Sequence, residues 1–143
     1  MSVSFRVGFV HGLQRHRMTH GGHAYDTERN VADKAEIAAL YRNACHASPR
    51  SRPTCAPRRV PVAVDVYVQR PLPMSRPKRC DGEDDTYKPD VDNVAKLVLD
   101  ALTGVAYEDD AQVVRVCVTK ARRRRGVDEH MTVTIRRPDW GDR

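Results

Sequence analysis

The sequence predicts an α+β fold, in which two main helices pack on one small mixed β-sheet. Four segments alternate apolar and polar residues with the period of two typical of β-strands, and two others carry helix-capping residues. The predicted order is strand, helix, strand, helix, strand, strand, which favours a single sheet with helices packed on it. The 143 residues are enough for one hydrophobic core, so we expect residues 1–143 to form a single domain.

The N-terminal third contains the first predicted strand and the first predicted helix. Residues 2–10 alternate and place four apolar side chains on one face: Val3, Phe5, Val7 and Phe9. Residues 11–23 show no periodicity, and their His, Arg and Gly content predicts a loop. Thr27 is expected to cap a helix that runs to about Cys45, with Glu28 favourable in its first turn. A modest apolar stripe is predicted for this helix at Val31, Ala35 and Ala38.

The middle of the chain alternates between irregular segments and one clear strand. Residues 47–61 hold prolines among arginines and are expected to form an exposed connector. Valines at alternate positions predict a strand over residues 60–68: Val60, Val62, Val64, Val66 and Val68. Residues 71–89 are again rich in proline and change from basic to acidic, so we expect a mobile, irregular loop there.

The second predicted helix has the strongest amphipathic pattern in the chain. Asp92 or Asn93 is expected to cap it, and it should end near Thr103 with Gly104 as the C-cap. Its apolar residues follow the spacing of one helical face: Val94, Leu97, Val98, Ala101 and Leu102.

Two strands are predicted after this helix. Residues 113–120 alternate and place three valines on one face: Val114, Val116 and Val118. Residues 122–126 read as a turn, since Gly126 follows a run of four arginines. The last strand contains Met131, Val133 and Ile135 and is expected to pair antiparallel with the strand before it.

The charge distribution favours a polyanionic partner. The chain has 25 Lys and Arg against 19 Asp and Glu, a formal net charge of +6. Much of the acid lies between Asp81 and Asp110, so the remaining surface is more basic than the total implies. Nucleic acid is a common partner of such a surface, although many small proteins are basic without binding it.

The cysteines and the hydropathy pattern exclude several classes of protein. None of the four cysteines forms a Cys-x-x-Cys pair, which argues against a zinc ribbon. Spacing alone leaves a Cys45–Cys55 disulfide open, but we expect reduced thiols in a cytoplasmic protein. We see no signal peptide and no apolar run near the ~18 residues that span a membrane. The loop histidines His11, His16, His20 and His23 do not have the spacing of a zinc site, which favours solvent exposure or DNA contact.

An acidic cluster stands out against this basic background. Asp90 and Asp92 flank one residue before the second helix, and Asn93, Lys96 and Asp100 lie on its polar face. Glu108, Asp109 and Asp110 follow the helix, and a returning chain is expected to bring them beside Asp90 and Asp92. Two or three such carboxylates, completed by water, suit Mg²⁺ or Mn²⁺. A metal there would meet phosphate, with Lys96 stabilising the transition state.

Each part of this cluster also has a simpler interpretation. Asp92 is a sufficient N-cap without any metal. Lys96 and Asp100 have the spacing of a surface ion pair within a helix. Residues 108–110 are compatible with a solvated turn. From the residues alone, a metal site and a set of unrelated surface acids therefore both remain open.

The residues 88–102 and 107–114 together resemble the RusA family of small homodimeric Holliday junction resolvases. The first segment reads D-x-D-N-x-x-K-x-x-x-D-A-L from Asp90 to Leu102, and the second reads D-D-x-Q-V-V from Asp109 to Val114. The rest of the chain agrees in layout, with an N-terminal strand, a basic glycine-containing loop ending at Tyr25, a helix and a strand before the motif.

The resemblance implies a Mg²⁺-dependent endonuclease that cuts four-way DNA junctions symmetrically. At matching positions, the essential metal-binding residues are Asp90, Asp92 and Asp110, and the essential lysine is Lys96. Asp109 is implied as a further contributor to the metal site. Asn93 is expected to support the site, whereas Asp100 and Gln112 are expected to be structural. A two-fold junction and a symmetric cut imply a C2 homodimer.

One departure concerns the residues before the first aspartate. Arginines precede it in the enterobacterial version of the motif, where this chain has Tyr87-Lys88-Pro89. Lys88 remains able to contact phosphate. Further basic residues are expected to contact the DNA backbone rather than to read sequence: Arg15, His16, Arg17, Arg76, Lys78, Arg79, Arg122, Arg123, Arg124 and Arg125. Two alternatives stay open: a non-cleaving branched-DNA-binding protein of the same fold, and a nuclease for forks or flaps.

Overall fold

The computed structural model describes residues 2–47 and 55–140. Its main sheet contains β1 (Ser2–Val7), β4 (Val62–Gln69), β5 (Val113–Lys120) and β6 (His130–Arg136), in the spatial order β1-β6-β4-β5. The β4–β5 pair is parallel, whereas β6 runs antiparallel to both β1 and β4. The predicted mixed sheet with two helices, α1 (Glu28–His46) and α2 (Val91–Leu102), is confirmed.

The position of β6 differs from the prediction. We expected it beside β5, but it lies between β1 and β4, so β5 becomes an edge strand. The two strands run in opposite directions without pairing. After β5 the chain therefore crosses β4, and β6 then pairs with β4 on one side and with β1 on the other. As residues of this edge strand, Val114 and Val116 of β5 stay 47% and 39% exposed.

The N-terminal segment also corrects two predictions. β1 ends at Val7, because its pairing with β6 stops where Val7 meets Met131. The expected loop at residues 11–23 contains part of a short antiparallel hairpin, formed by β2 (Arg17–Met18) and β3 (Ala24–Tyr25). Gly22 supports its tight turn with a φ of 81°, a conformation that favours glycine.

Helix α1 begins as predicted, but its buried face was predicted correctly only at Ala38. The Thr27 hydroxyl accepts a hydrogen bond from the Asn30 N–H, so Thr27 is the N-cap. Val31 is 56% exposed, and Ala35 is exposed too. Besides Ala38, the buried face carries residues that the prediction did not include: Asn30, Asp33, Ile37, Tyr41 and Cys45. Polar groups take part because loop residues satisfy them; the Asn30 amide, for example, bonds both the N–H and the carbonyl of Gln14.

Helix α2 packs as its sequence predicts. All five residues of its apolar stripe are buried: Val94, Leu97, Val98, Ala101 and Leu102. They form one core with the alternate valines of β4 and with Met131, Val133 and Ile135 of β6. Both caps precede the predicted residues, by two or three positions at the N-terminus and by one at the C-terminus. Asp90 is the N-cap residue, and Thr103 is the C-cap, followed by Gly104 at φ 80°.

The two irregular segments have different outcomes. Residues 48–54 of the predicted connector lie outside the described residues, and Ala56 beyond them is buried. The loop at residues 71–89, expected to be mobile, is tied to Arg123 and Arg124 by main-chain hydrogen bonds, such as Gly82 N–H to Arg123 O at 2.7 Å. Its short 3-10 helix covers Lys78–Cys80.

Two further expectations concern thiols and membranes. All four cysteines are free, so the Cys45–Cys55 disulfide left open by their spacing is not formed. No helix in the described part of the chain is both long enough and apolar enough to cross a membrane.

Candidate active site

The first acidic pair lies at the N-terminus of α2. Asp90 occupies the N-cap position, yet no cap hydrogen bond from its side chain is seen among the described residues. Asp92 lies in the first turn, where its carboxylate faces the ammonium of Lys96 at 3.8 Å. Both members of that ion pair are mostly exposed, at 65% and 62% of their side chains. Neither carboxylate therefore caps the helix through a hydrogen bond, and both are accessible to a ligand from solvent.

A cavity of about 340 Å³ adjoins Asp90. Asp90 and Asn93 line one side of it, and the loop at residues 10–14 lines the other. The basic side chains on its wall are His11, Arg29, Arg70 and Lys88. The predicted phosphate contact Lys88 thus opens into the same space as Asp90, so an anion drawn in by these cations would meet the first carboxylate.

Gly12 permits the close approach of this loop to α2. A Cβ atom built on Gly12 would lie 2.9 Å from the Cβ of Asn93 and 3.0 Å from the Cβ of Pro89, closer than side chains tolerate. The contact is fixed by a hydrogen bond from the Leu13 N–H to the Asn93 carbonyl at 3.0 Å. The Gly12 carbonyl accepts a further bond from Arg29 Nη2 at 3.0 Å. Gly12 therefore sets the width of the cavity beside Asp90.

The segment before Asp90 is held by two cations from the ends of neighbouring strands. Arg70 follows β4 and donates to the Lys88 carbonyl; Lys120 ends β5 and donates to the Tyr87 carbonyl. Asp85 lies between the two cations with a fully buried side chain, 3.6 Å from Arg70 and 3.8 Å from Lys120. Because β4 and β5 are parallel, both cations reach the same end of the sheet. The ends of these two strands therefore fix the position of the segment that leads to Asp90.

The second acidic pair begins the 3-10 helix Asp110–Gln112. Asp109 caps it by accepting the Ala111 N–H at 3.0 Å. This hydrogen bond is the main cause that lowers the pKa of Asp109, with smaller contributions from Asp110 and from the charge of Arg58. Gln112 completes a reciprocal cap, because its side-chain oxygen accepts the N–H groups of Glu108 and Asp109 at 2.9 Å each. Asp109 is ionised and held in a fixed direction as a result.

The two acidic pairs have different surroundings within one chain. Asp110 lies near Tyr107, whose hydroxyl donates to the Leu99 carbonyl in the second half of α2, whereas Asp90 and Asp92 lie at its start. Among the residues that the structure describes, no group of three or more His, Cys, Asp or Glu side chains is close enough to hold a metal ion. The combined site of Asp90, Asp92, Asp109 and Asp110 stays a prediction.

Their spacing predicted an ion pair between Lys96 and Asp100, but the two residues pair with other partners. Lys96 faces Asp92, whereas Asp100 faces Lys34 of α1 at 3.8 Å. Lys34 also binds Asp26 at 2.7 Å. Asp100 therefore contributes to the contact between the two helices, in agreement with a structural role.

The proposed DNA-contacting residues fall into two groups. Lys88 and seven others are exposed: Arg15, His16, Arg17, Lys78, Arg79, Arg122 and Arg124. Three are engaged within the fold: Arg76 pairs with Glu83 at 2.8 Å, Arg125 donates to the Arg76 carbonyl, and Arg123 is 6% exposed. Arg123 donates twice to the Pro71 carbonyl and lies over the Tyr87 ring. Because Arg123 is buried, the predicted DNA contact is wrong for this residue, and its role is structural.

Several residues around Asp90 were not found from the sequence. Gly12, Arg29, Arg70 and Lys120 meet this region only because distant segments come together, and none has a neighbouring motif. The one available signal was Asp85, an acid in a loop whose partners are basic strand ends. Nothing in local spacing pairs it with Arg70 or Lys120.

Comparison with known proteins identifies the family of the chain. The family described as Endodeoxyribonuclease RusA matches residues 9–136, a range that includes both acidic pairs, Lys96 and the cavity beside Asp90. A relative in Bacillus subtilis (strain 168), named uncharacterized protein YqaN, is 46% identical over 68 residues, covering 42% of this chain and 48% of that protein. The chain thus matches about half the length of this curated relative. Because the family match covers most of its length, the chain belongs to the RusA endodeoxyribonuclease family.

Proposed function

We propose that this protein is a metal-dependent, structure-selective endodeoxyribonuclease that resolves four-way DNA junctions by paired, symmetric hydrolysis. The observation that carries the proposal is the family match over residues 9–136. Asp90, Asp92, Lys96 and Asp110 lie within this range and belong to the motif by which the sequence resembles the family. The exposure of all four side chains supports it, because catalytic groups must be reachable by DNA.

The carboxylates fit a hard divalent cation such as Mg²⁺, or Mn²⁺ in its place. Mg²⁺ prefers oxygen donors and is commonly held by one or two carboxylates, with water and substrate phosphate completing its shell. Each acidic pair offers two carboxylates, and those of the first pair are free of capping. Asp90, Asp92 and Asp110 are the proposed metal ligands, with Asp109 as a further contributor. A bound cation supplies an activated water and neutralises charge on the phosphate.

The chain's own groups position and stabilise the DNA around these ligands. The ammonium of Lys96 is exposed, and it faces Asp92 at a distance of 3.8 Å. It is therefore available to stabilise a phosphate oxygen as negative charge develops there. Lys88 binds the backbone beside Asp90. Arg15, Arg17, Lys78, Arg79, Arg122 and Arg124 bind more distant phosphates, which positions the DNA without reading its sequence.

A homodimer supplies the second cut. A four-way junction has two-fold symmetry, so two copies of the chain related by a two-fold axis place equal sites on opposite strands. Cleavage at paired positions thus requires two copies of the chain on one junction.

A second candidate is a branched-DNA-binding protein of the same fold that does not cleave. Tyr87-Lys88-Pro89 favours it, because this chain lacks the arginines that precede the first aspartate in the enterobacterial motif. Cleavage of other branched DNA, such as forks and flaps, is a third. Comparing cutting rates on junctions, forks and flaps separates the third candidate from the first.

The test is nicking of a synthetic four-way junction in Mg²⁺ by the wild-type protein and by Asp92→Asn. We expect paired symmetric cuts that the substitution abolishes while junction binding is retained. Binding without cuts by the wild type, in Mg²⁺ and in Mn²⁺, would select the non-cleaving candidate. Cuts that survive Asp92→Asn would remove Asp92 from the proposed metal site.

A further inference from the structure

A single buried glutamine fastens a second basic segment to the Asp109–Asp110 pair. The Gln112 side chain is 5% exposed, and its amide nitrogen lies 3.2, 2.8 and 3.0 Å from the carbonyl oxygens of Ala56, Pro57 and Val60. Its oxygen accepts the N–H groups of Glu108 and Asp109. The turn at residues 56–60 is therefore held against the start of the acidic pair, and it carries Arg58 and Arg59.

Arg59 has a backbone conformation that arginine rarely adopts. Its φ is 72°, in the left-handed region where glycine is favoured. The strained conformation is stabilised by Gln112, whose side-chain amide donates hydrogen bonds to the carbonyls of Pro57 and Val60 on either side of Arg59. Strained residues of this kind concentrate at functional sites. An arginine in a conformation that favours glycine therefore indicates that the Arg59 side chain has a function.

The turn forms one wall of an open cavity of about 400 Å³. Arg58, Arg59 and Asp109 contribute its charged groups, and Pro61 and Val114 contribute its apolar ones. This volume lies in the roughly 300–1,000 Å³ range of small-ligand sites. The combination of two guanidinium groups with an apolar surface suits a ligand that is anionic on one side and apolar on another.

Both arginines are available to such a ligand. The ion pair described for Arg58 is with Glu108, where the two groups are 4.0 Å apart and their side chains are 75% and 52% exposed. An ion pair this long and this exposed contributes little and is readily exchanged. A guanidinium group, in contrast, binds phosphate through two parallel hydrogen bonds.

We infer that Arg58 and Arg59 form a binding subsite for one sugar–phosphate unit of the DNA strand that passes over Asp109 and Asp110. The arginines hold the phosphate, and Pro61 and Val114 contact the deoxyribose. This inference rests on the proposed function, and it adds a cationic subsite beside the acidic pair. A strand in this position has one phosphate on the Arg58–Arg59 turn and a neighbouring phosphate at the carboxylates.

The experiment measures binding of a four-way junction over a range of salt concentrations, without divalent metal, for Arg58→Ala and Arg59→Gly. The Gly substitution removes the charge and also relieves the left-handed backbone, so its Tm should not fall. Arg6→Ala is the matched control: Arg6 is an exposed arginine on β1, at the opposite edge of the sheet.

We expect each turn variant to bind the junction on the order of tenfold more weakly, the effect of losing a charge-assisted hydrogen bond. The slope of log affinity against log salt should fall by about one for each variant, and Arg6→Ala should match wild type. Junction binding equal to that of Arg6→Ala in both variants would overturn this inference alone. Weaker binding accompanied by a lower Tm in both would make the turn structural, and would overturn it too. Failure of the wild type to bind any junction would overturn the proposed function along with it.

Discussion

The acidic side chains of this protein fall into two regions that differ in how their charge is balanced. Asp26, Asp33 and Asp85 are partly or fully buried and meet cations of the chain: Asp26 binds Lys34 at 2.7 Å, and Asp33 faces Arg29 at 3.7 Å. Asp85 lies between Arg70 and Lys120. These three carboxylates join the loops to α1 and to the ends of the sheet, so their role is structural.

The carboxylates of the candidate site have the opposite surroundings. Asp90, Asp92, Asp109 and Asp110 are all exposed, and among the described residues their one ion pair is that of Asp92 with Lys96, at 3.8 Å. Exposed pairs at this distance contribute little to stability. The fold thus supplies counter-charges to the acids that hold it together, and leaves the acids of the candidate site exposed to solvent.

The largest difference between the two regions is expected in catalysis. Asp90→Asn removes a proposed metal ligand but keeps a good N-cap residue, so we expect Tm to be unchanged and junction cleavage to fall by at least ~10³-fold. Single-turnover cleavage in Mg²⁺ measures the loss. Asp100→Asn is the matched control on the same helix, because Asp100 faces Lys34 and should leave cleavage nearly intact. Equal losses in the two variants would contradict the assignment.

The largest difference in stability is expected at Asp85. Asp85→Ala leaves Arg70 and Lys120 without their buried counter-charge, which typically costs about 3–5 kcal/mol of unfolding free energy. Urea denaturation followed by circular dichroism measures it. Asp84→Ala is the control, since Asp84 is 80% exposed and its ion pair with Arg122 is 3.5 Å long. If both variants unfold at the same urea concentration, Asp85 does not hold the segment that leads to Asp90.

Gly12 connects the two regions, because it lets the loop that carries His11 approach the helix that carries Asp90. Gly12→Ala places a methyl group within 3.0 Å of two side-chain atoms, and overpacking of this kind costs about 1–3 kcal/mol. We also expect a higher Mg²⁺ requirement, because the wall of the Asp90 cavity must move. Gly8→Ala is the control, since nothing lies within 4 Å of a Cβ there. A Tm loss in Gly8→Ala equal to that in Gly12→Ala would reject the steric explanation.

The sequence predicted some of these features because they are local. The stripe of α2 was correct, since apolar side chains at helical spacing have one way to be buried against a sheet. The residues of the candidate site came from a motif within one stretch of chain. Part of the buried face of α1 was missed because Asn30 and Asp33 are polar, and their burial depends on partners in a distant loop.

Long-range pairing accounts for the remaining differences. The place of β6 between β1 and β4 depends on which strand edges are free, which the alternation of Met131, Val133 and Ile135 does not encode. The contacts of Arg70 and Lys120 with the segment before Asp90 follow from the parallel β4–β5 pair. A pattern that lies within one element was therefore predictable, and a contact that needs two elements was not.

The smallest predicted effect tests the structural acids through pH. Hydrogen bonds from Lys34 and then Asn30 lower the pKa of Asp26 below its usual value of 3.8. A carboxyl whose pKa is lower in the folded state stabilises the fold above its unfolded pKa, and this contribution is lost as the pH falls through the folded value. Asp26→Asn should therefore be less stable than wild type at pH 7, with the gap in Tm narrowing below about pH 4. Thermal unfolding from pH 7 to pH 2 measures the gap. A gap that stays constant over this range would mean that Asp26 stabilises the fold by packing rather than by charge, and the contrast with the exposed, site-forming acids would lose one of its three structural members.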